Sequence, residues 1–379
     1  MRQNNVLFIA TVVKTHILEF HVPYLKMFHD KGYKVYVCAR NDFDHKQDCV
    51  IPYCDCFIDT PFARNPFDTA NIKAYKMLKN LISSVPFSII HCHTPVGGVL
   101  GRIAARNAKT EADVLYTAHG FHFYSGSSIG SWITYYPVEL LCSRFTDALI
   151  TINSEDYKVA SQKMHAKKTF LVNGVGIDTD RIINTSINRN ELMKSVHINP
   201  SDYICITVAE LIERKNYKTL IQAFAEANIP NSHYLICGSG TMREELTAFV
   251  KNLNLSDRVS FLGYRNDVIQ LVKAADVFLF GSYQEGLPVA LMEAMAAETP
   301  CIASNIRGNR DLITDSFNGM LVDKANDVHG FSKAIQALYS NPSKAAFFTS
   351  NALKTIRSYD IASTMKQMEA IYFHDMKMY

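Results

Sequence analysis

The sequence has no C-x-x-C pair, and none of its apolar runs approaches the ~20 residues needed to span a bilayer. The first absence leaves nine cysteines, an odd number, scattered from Cys38 to Cys301. Several fall in strand-like runs such as "KVYVCAR" and "HYLICGSG", so they read as buried free thiols in a reducing compartment. The second absence leaves Val6 to Val13 as the opening apolar run, short for a signal segment and followed by no small-residue cleavage pattern. A buried first strand fits it better, and the chain reads as a cytoplasmic protein whose contact with the inner membrane face is peripheral. One-sided charge is also missing. A net charge of +3 is too mild for a nucleic-acid partner, although a local basic patch suits an anionic ligand or membrane. There is no short internal repeat and no low-complexity tract. A Walker loop, a G-x-S-x-G elbow and a complete G-x-G-x-x-G are absent as well. "HCHT", with His91 and His93, is a lone His-x-His with no second ligand pair beside it in sequence, so a loop contact is expected and no metal.

What remains is apolar and regularly ordered. With 379 residues, 48% of them hydrophobic and 20% charged, two cores are expected rather than one, and wholesale disorder is excluded. Strand-like runs alternate with helix-length segments. "VLFIATVV", "YKVYVCAR", "FSIIHCH", "VLYTAHG" and "ALITINS" are separated by segments such as "ILEFHVPYLKMFHDKG" and "VGGVLGRIAARNA". The rhythm restarts after "FLVNGVGIDTDRI" with "DYICITVAEL", "HYLICGSG", "VSFLGYR", "VFLFGSY", "CIASNI" and "GMLV". Such order predicts parallel sheets covered on both faces. The expected division is a first α/β domain over 1–174, a second over 175–358 and a helix over 359–379. Ligands of doubly wound domains bind beyond the carboxyl ends of the strands, so residues that follow strands are the candidates.

"EGLPVALMEA" follows one such strand. Gly286 admits unusual backbone, Leu287 follows it, and Pro288 suits a first helical turn. Free N–H groups at that helix start favour negative charge. Glu285 lies before the helix and Glu293 within it. Eight helical positions would rise ~12 Å, wider than the ~5–9.5 Å between paired catalytic carboxyls of glycoside hydrolases. Two contacts on a long ligand fit that spacing better than one acid/base dyad, while a cap Glu285 beside a solvated Glu293 is the plain alternative. "AELIERKN" sets Arg214 beside Lys215 near another helix start, as a diphosphate site needs, or as a solvated basic pair. Gly238 and Gly240 in "CGSG" let backbone approach phosphate. "TAHGFHFY" sets His119 and His122 after a strand, where a histidine donates to a sugar hydroxyl or packs in a loop. Gly97 and Gly98 open a helix in a place that admits an acceptor or phosphate. The triplets "DFD" and "DTD" read as solvated loops rather than metal ligands.

Together, "GSYQEGLPVALMEAMAAETPCIAS", "NGVGIDTDRI", "CGSG" and "TAHG" resemble the ordered signature of glycosyltransferase family 4, retaining enzymes of the GT-B fold. The likeness covers nearly the whole chain. "TAHGFHFYSG", "AELIERKN" and "SNIRGNRDLI" are further similar to bacterial enzymes that build capsular or exopolysaccharide repeat units. The resemblance implies two Rossmann-like domains flanking a cleft, with the C-terminal helix crossing back onto the first. It implies that Glu285 contacts the donor sugar, Glu293 the ribose, and Arg214 and Lys215 the diphosphate as it leaves. His119 would face the sugar near the reacting carbon, and backbone from Gly263 to Arg265 would meet the base. The expected reaction is same-face displacement from a nucleotide-sugar, a UDP-sugar by family habit, onto a polyprenyl-linked saccharide or glycan. No cofactor or metal is expected. Rivals of the same fold are a UDP-sugar epimerase and a non-catalytic nucleotide-sugar-binding protein. Two departures stand out. Ala209 and Glu210 replace a Gly-Arg common in the family, which would leave Arg214 to substitute. No Gly-Gly loop follows the first strand, where Lys14 and His16 stand instead.

Overall fold

The computed structural model describes residues 4–374. The first three residues of the first domain and the last five of the expected C-terminal helix lie outside the described residues. Two compact units emerge, one formed by the chain up to Val175 together with residues from Thr364 onward, the other by Gly176–Ser363.

The first unit is a parallel sheet of seven strands: β1 (Asn5–Val12), β2 (Lys34–Arg40), β3 (Cys56–Asp59), β4 (Ile89–His93), β5 (Asp113–Ala118), β6 (Ala148–Thr151) and β7 (Lys168–Leu171). Their order is β3-β2-β1-β4-β5-β6-β7. The central strands are apolar on both faces because helices cover both faces. Alternate residues serve opposite cores: Leu7 and Ile9 pack with Tyr36, Cys38 and Ile90, whereas Val6, Phe8 and Ala10 pack with Val35, Val37 and Ile150. The C-terminal helix, Ile361–Phe373, joins the second of these cores through Met368, Ile371 and Tyr372. Burial of side chains like Met368 and Ile371 is worth about 1.5–3 kcal/mol each.

The second unit holds β8 (Tyr203–Val208), β9 (Ser232–Cys237), β10 (Val259–Gly263), β11 (Val277–Phe280), β12 (Cys301–Ser304) and β13 (Met320–Val322). All six are parallel, in the order β10-β9-β8-β11-β12-β13. Each sheet therefore reverses its strand order once, between β1 and β4 in the first unit and between β8 and β11 in the second. Such a switch point splays the loops that leave its two strands and opens a crevice between them.

Several elements differ from the sequence expectation. The first helix does not run unbroken from Ile17 to Gly32. A π-helical turn, Val13–Ile17, leads through a short turn into the helix Val22–Asp30. The Asp42 carboxylate holds that turn, accepting the Val13 N–H at 3.0 Å and the Lys14 N–H at 2.7 Å, so "DFD" is not merely a solvated loop. In "DTD", Asp178 caps the helix Thr179–Ile183 by accepting the Arg181 N–H at 2.9 Å. Pro288 is the residue before the helix Val289–Ala296 rather than part of its first turn. All nine cysteines are free, and six are buried. Among the described residues, no helix is long and apolar enough to cross a membrane.

Candidate functional site

At the β8/β11 switch point three charged side chains meet. The segment after β8 closes into a short turn, Glu213–Lys215, ended by Asn216 in the left-handed region at φ +56°. Asparagine tolerates that backbone, and here its amide nitrogen also ties the turn to the carbonyls of Gly281 and Ala325, at 3.0 and 2.6 Å. The segment after β11 carries Glu285, whose side chain is buried. Lys215 Nζ donates to Glu285 Oε1 at 2.6 Å, and Arg214 Nη1 donates to Glu285 Oε2 at 3.2 Å. Arg214 Nη1 also donates to the Gln284 carbonyl at 2.7 Å, and Tyr283 N–H donates to the Arg214 carbonyl at 2.9 Å. Lys215 Nζ lies 5.2 Å from the centre of the Phe280 ring, which adds cation–π attraction. Two cations thus share one carboxylate, so these three side chains together carry one net positive charge.

Glycines let neighbouring loops close on this edge. Gly238, at φ +142°, lies against the Ala209 carbonyl where any Cβ would overlap it, and a Cβ on Gly240 would overlap the Leu211 carbonyl. The Gly238 N–H donates to the Gly263 carbonyl at 2.8 Å, linking the ends of β9 and β10.

The switch point of the first unit is lined by histidines. His93 ends β4, His119 follows β5, and His16 and His21 come from the turns after β1. One nitrogen from each lies within 4.8 Å of the others. Thr94, next to His93, sits at φ +62°, rare for a β-branched residue. Its hydroxyl accepts the Thr11 N–H at 3.1 Å and lies 2.6 Å from the Thr11 hydroxyl. Beside the cluster, a cavity of about 390 Å³ is lined largely by apolar groups, among them Phe67, Val96, Leu100, Phe121 and Val138, with His122 on its wall.

The second half of the chain, residues 188–355, matches the family model described as Glycosyl transferases group 1, and residues 5–153 match the one described as Glycosyl transferase 4-like. The chain is 38% identical over 378 residues to EpsD of Bacillus subtilis (strain 168), with 98% of this chain and 97% of that one covered. The chain belongs to glycosyltransferase family 4. An Escherichia coli relative of this glycosyltransferase is 29% identical over 317 residues, 80% of this chain and 81% of that one. That protein is the UDP-Gal:alpha-D-GlcNAc-diphosphoundecaprenol alpha-1,3-galactosyltransferase. HepE from Anabaena, solved with UDP and glucose, matches the fold with a TM-score of 0.78 at 19% identity, covering 98% of this chain and 99% of that one. The fold is GT-B.

In this glycosyltransferase Glu285, Arg214 and Lys215 form one cluster, continued by Gly286, Leu287 and Pro288. Glu293 stands half-buried in the second turn of the following helix. Gly238, Gly240 and Gly263 shape the adjoining loops of the same edge. Arg265 is engaged, its guanidinium forking onto Asp267 at 2.7 and 2.6 Å. Gly97 and Gly98 are buried; a Cβ on Gly98 would overlap the Tyr116 ring, so close helix packing alone accounts for that glycine. His119 belongs to the histidine cluster of the first unit. One expectation is corrected: His91 and His93 are buried residues of a central strand, not loop contacts, and His16 and His21 supply the second pair that "HCHT" lacks in sequence. Chain distance hid it, since the pair stands some seventy residues earlier. Sequence reasoning also passed over Arg307, which is buried and donates Nε–H to the Glu285 carbonyl at 3.0 Å. Its signal was the neighbouring Gly308, at φ +82°, whose absent Cβ leaves room for the Gly286 carbonyl.

Proposed function

We propose that this glycosyltransferase moves a sugar from a UDP-sugar to a polyprenyl-diphosphate-linked saccharide, with retention at the anomeric carbon, during assembly of a capsular or exopolysaccharide repeat unit. The observation that carries the reading is the Arg214–Lys215–Glu285 cluster at the β8/β11 switch point. Its excess positive charge suits a leaving diphosphate, and its carboxylate suits the hydroxyls of the sugar next to it. In this reading Glu293 takes the ribose, and backbone from Gly263 to Arg265 takes the base. The bond from the anomeric carbon to the diphosphate oxygen breaks as the acceptor hydroxyl oxygen bonds to the same face of that carbon. The acceptor proton passes to the departing diphosphate. Positioning and stabilisation of the leaving group supply the rate enhancement. The cations meet the charge of the diphosphate, so no divalent ion is needed on it.

The acceptor class is supported by the Escherichia coli relative and by the surface of the first unit. The helix Ile129–Ser143 packs Trp132 and Tyr136 against the core and buries Glu139, yet leaves Ile129, Ile133, Val138 and Leu141 facing solvent. A polyprenyl chain or the membrane itself would cover that face, with the adjoining apolar cavity receiving part of the lipid. In this reading the protein works peripherally at the inner membrane face. The test is incubation with a panel of UDP-sugars and a polyprenyl-diphosphate saccharide in EDTA, read by mass spectrometry. A lipid product heavier by one sugar, absent without a donor, is expected. Absence of any product across the panel would overturn the reading.

A further inference from the structure

The four histidines at the carboxyl end of the first sheet are placed as ligands are, not as packing residues. His16 Nε2, His93 Nε2 and both ring nitrogens of His21 are buried without a hydrogen-bond partner. A buried polar group left unsatisfied is costly, and one ion held by a nitrogen of each ring would satisfy three of these four atoms at once. His91, two residues from His93 on the same strand, shows how this fold satisfies a histidine that is only packed. Its Nδ1 lies 2.6 Å from the Tyr372 hydroxyl and its Nε2 lies 2.8 Å from the Thr117 hydroxyl.

The spacing approaches that of a coordinated ion. One nitrogen from each ring lies within 4.8 Å of the others, and small turns of the rings would draw them in to the ~3.3–3.4 Å edge of a tetrahedron with metal–nitrogen bonds of ~2.0–2.1 Å. The ring centres of the four lie 3.9 to 5.9 Å from one another. Four imidazoles on one tetrahedral ion have centres ~5 Å apart. Burial holds His16, His21 and His93 well below the ordinary imidazole pKa and His119 at about 4, which keeps them in the neutral form that ligates.

We propose that His16, His21, His93 and His119 form a binding site for a late first-row divalent metal ion such as zinc. All-nitrogen donors select that class over magnesium or calcium, which take oxygen. The site is built from side chains of the first unit alone and does not depend on the donor reading of Glu285. A single buried water is the competing occupant, since a cavity of about 10 Å³ touches His21, His93 and His119, about the least space that admits one.

The test uses the full-length protein, stripped with a chelator and titrated with cobalt(II), without nucleotide. Wild type should take up one cobalt per chain with the intense visible absorption of a tetrahedral site, and zinc should abolish that band. His16→Gln with His21→Gln should weaken binding by ~100-fold or more, whereas His122→Gln, outside the cluster, should leave it unchanged. Should the double variant fail to fold, His119→Gln, at the less deeply buried edge of the cluster, should still lose the band. No stoichiometric uptake by stripped wild type, or the same band in every variant, would overturn the proposal and leave the water.

Discussion

Glu285→Gln separates two jobs that the second unit's cluster combines. The substitution keeps the shape and one acceptor oxygen but removes the charge shared by Lys215 and Arg214. Lys215 is 12% exposed and the Glu285 side chain 8%, so their bond is sheltered, while Arg214, at 39%, is screened by solvent. A charged hydrogen bond contributes about 1.5–3 kcal/mol against about 1 for a neutral one, and an exposed pair contributes about 0–1. The expected loss of stability is therefore about 1–2 kcal/mol, or about 2–8 °C in the melting of the second unit. The two cations, now without their carboxylate, should bind UDP as well as before or up to ~5-fold more tightly. Transfer should behave differently. If Glu285 holds a donor-sugar hydroxyl in the transition state, one lost charged hydrogen bond slows turnover about 10- to 150-fold. Calorimetric titration with UDP and a steady-state assay at saturating donor measure the two effects separately. Weaker UDP binding with unchanged turnover would refute the reasoning, because it would make Glu285 a support for the nucleotide.

Three further outcomes follow from other parts of the chain. Glu139→Ala should destabilise the first unit by about 3–5 kcal/mol in urea denaturation, because it leaves the fully buried Arg102, now held by Glu139 at 2.8 Å, without its partner. Gly238→Ala should abolish UDP-induced thermal stabilisation, since its Cβ would overlap the Ala209 carbonyl and push the loop after β9 off the loop after β8; retained stabilisation would count against this packing. Burial holds the His233 imidazole below its ordinary pKa in the folded state. Its contribution is thus present above pH ~6.5 and lost as pH falls through the folded value, with a slope of at most ~1.4 kcal/mol per pH unit. His233→Gln should flatten that part of the acid limb in pH-dependent unfolding.

Much of the fold could be read from runs of apolar residues, because parallel strands buried on both faces must be apolar throughout. The edge strands of the first sheet escaped that test. β3, "CFID", and β7, "KTFL", are only half-buried and short. The helix Ile129–Ser143 went unread for another reason, with apolar residues on its outer as well as its inner face and Pro137 in its middle. In the second unit, the cluster of Glu285 with the Arg214–Lys215 pair was legible because each member sits in a distinctive motif just after a strand. The carboxylate's capture by both cations was not, since it depends on the return of Asn216 through the left-handed region. The histidine cluster was invisible locally, for its members come from three strand ends and meet only when β1, β4 and β5 align.

The central claim is that a sugar leaves a UDP carrier at the Arg214–Lys215–Glu285 cluster. Its most direct measurement is release of UDP coupled to the mass gain of a polyprenyl-diphosphate saccharide, for wild type and Lys215→Met side by side. The account predicts one UDP released per sugar gained by wild type, with the rate reduced at least ~10-fold in the variant, as loss of a charged contact to the leaving group requires. Equal rates in the two proteins would contradict it.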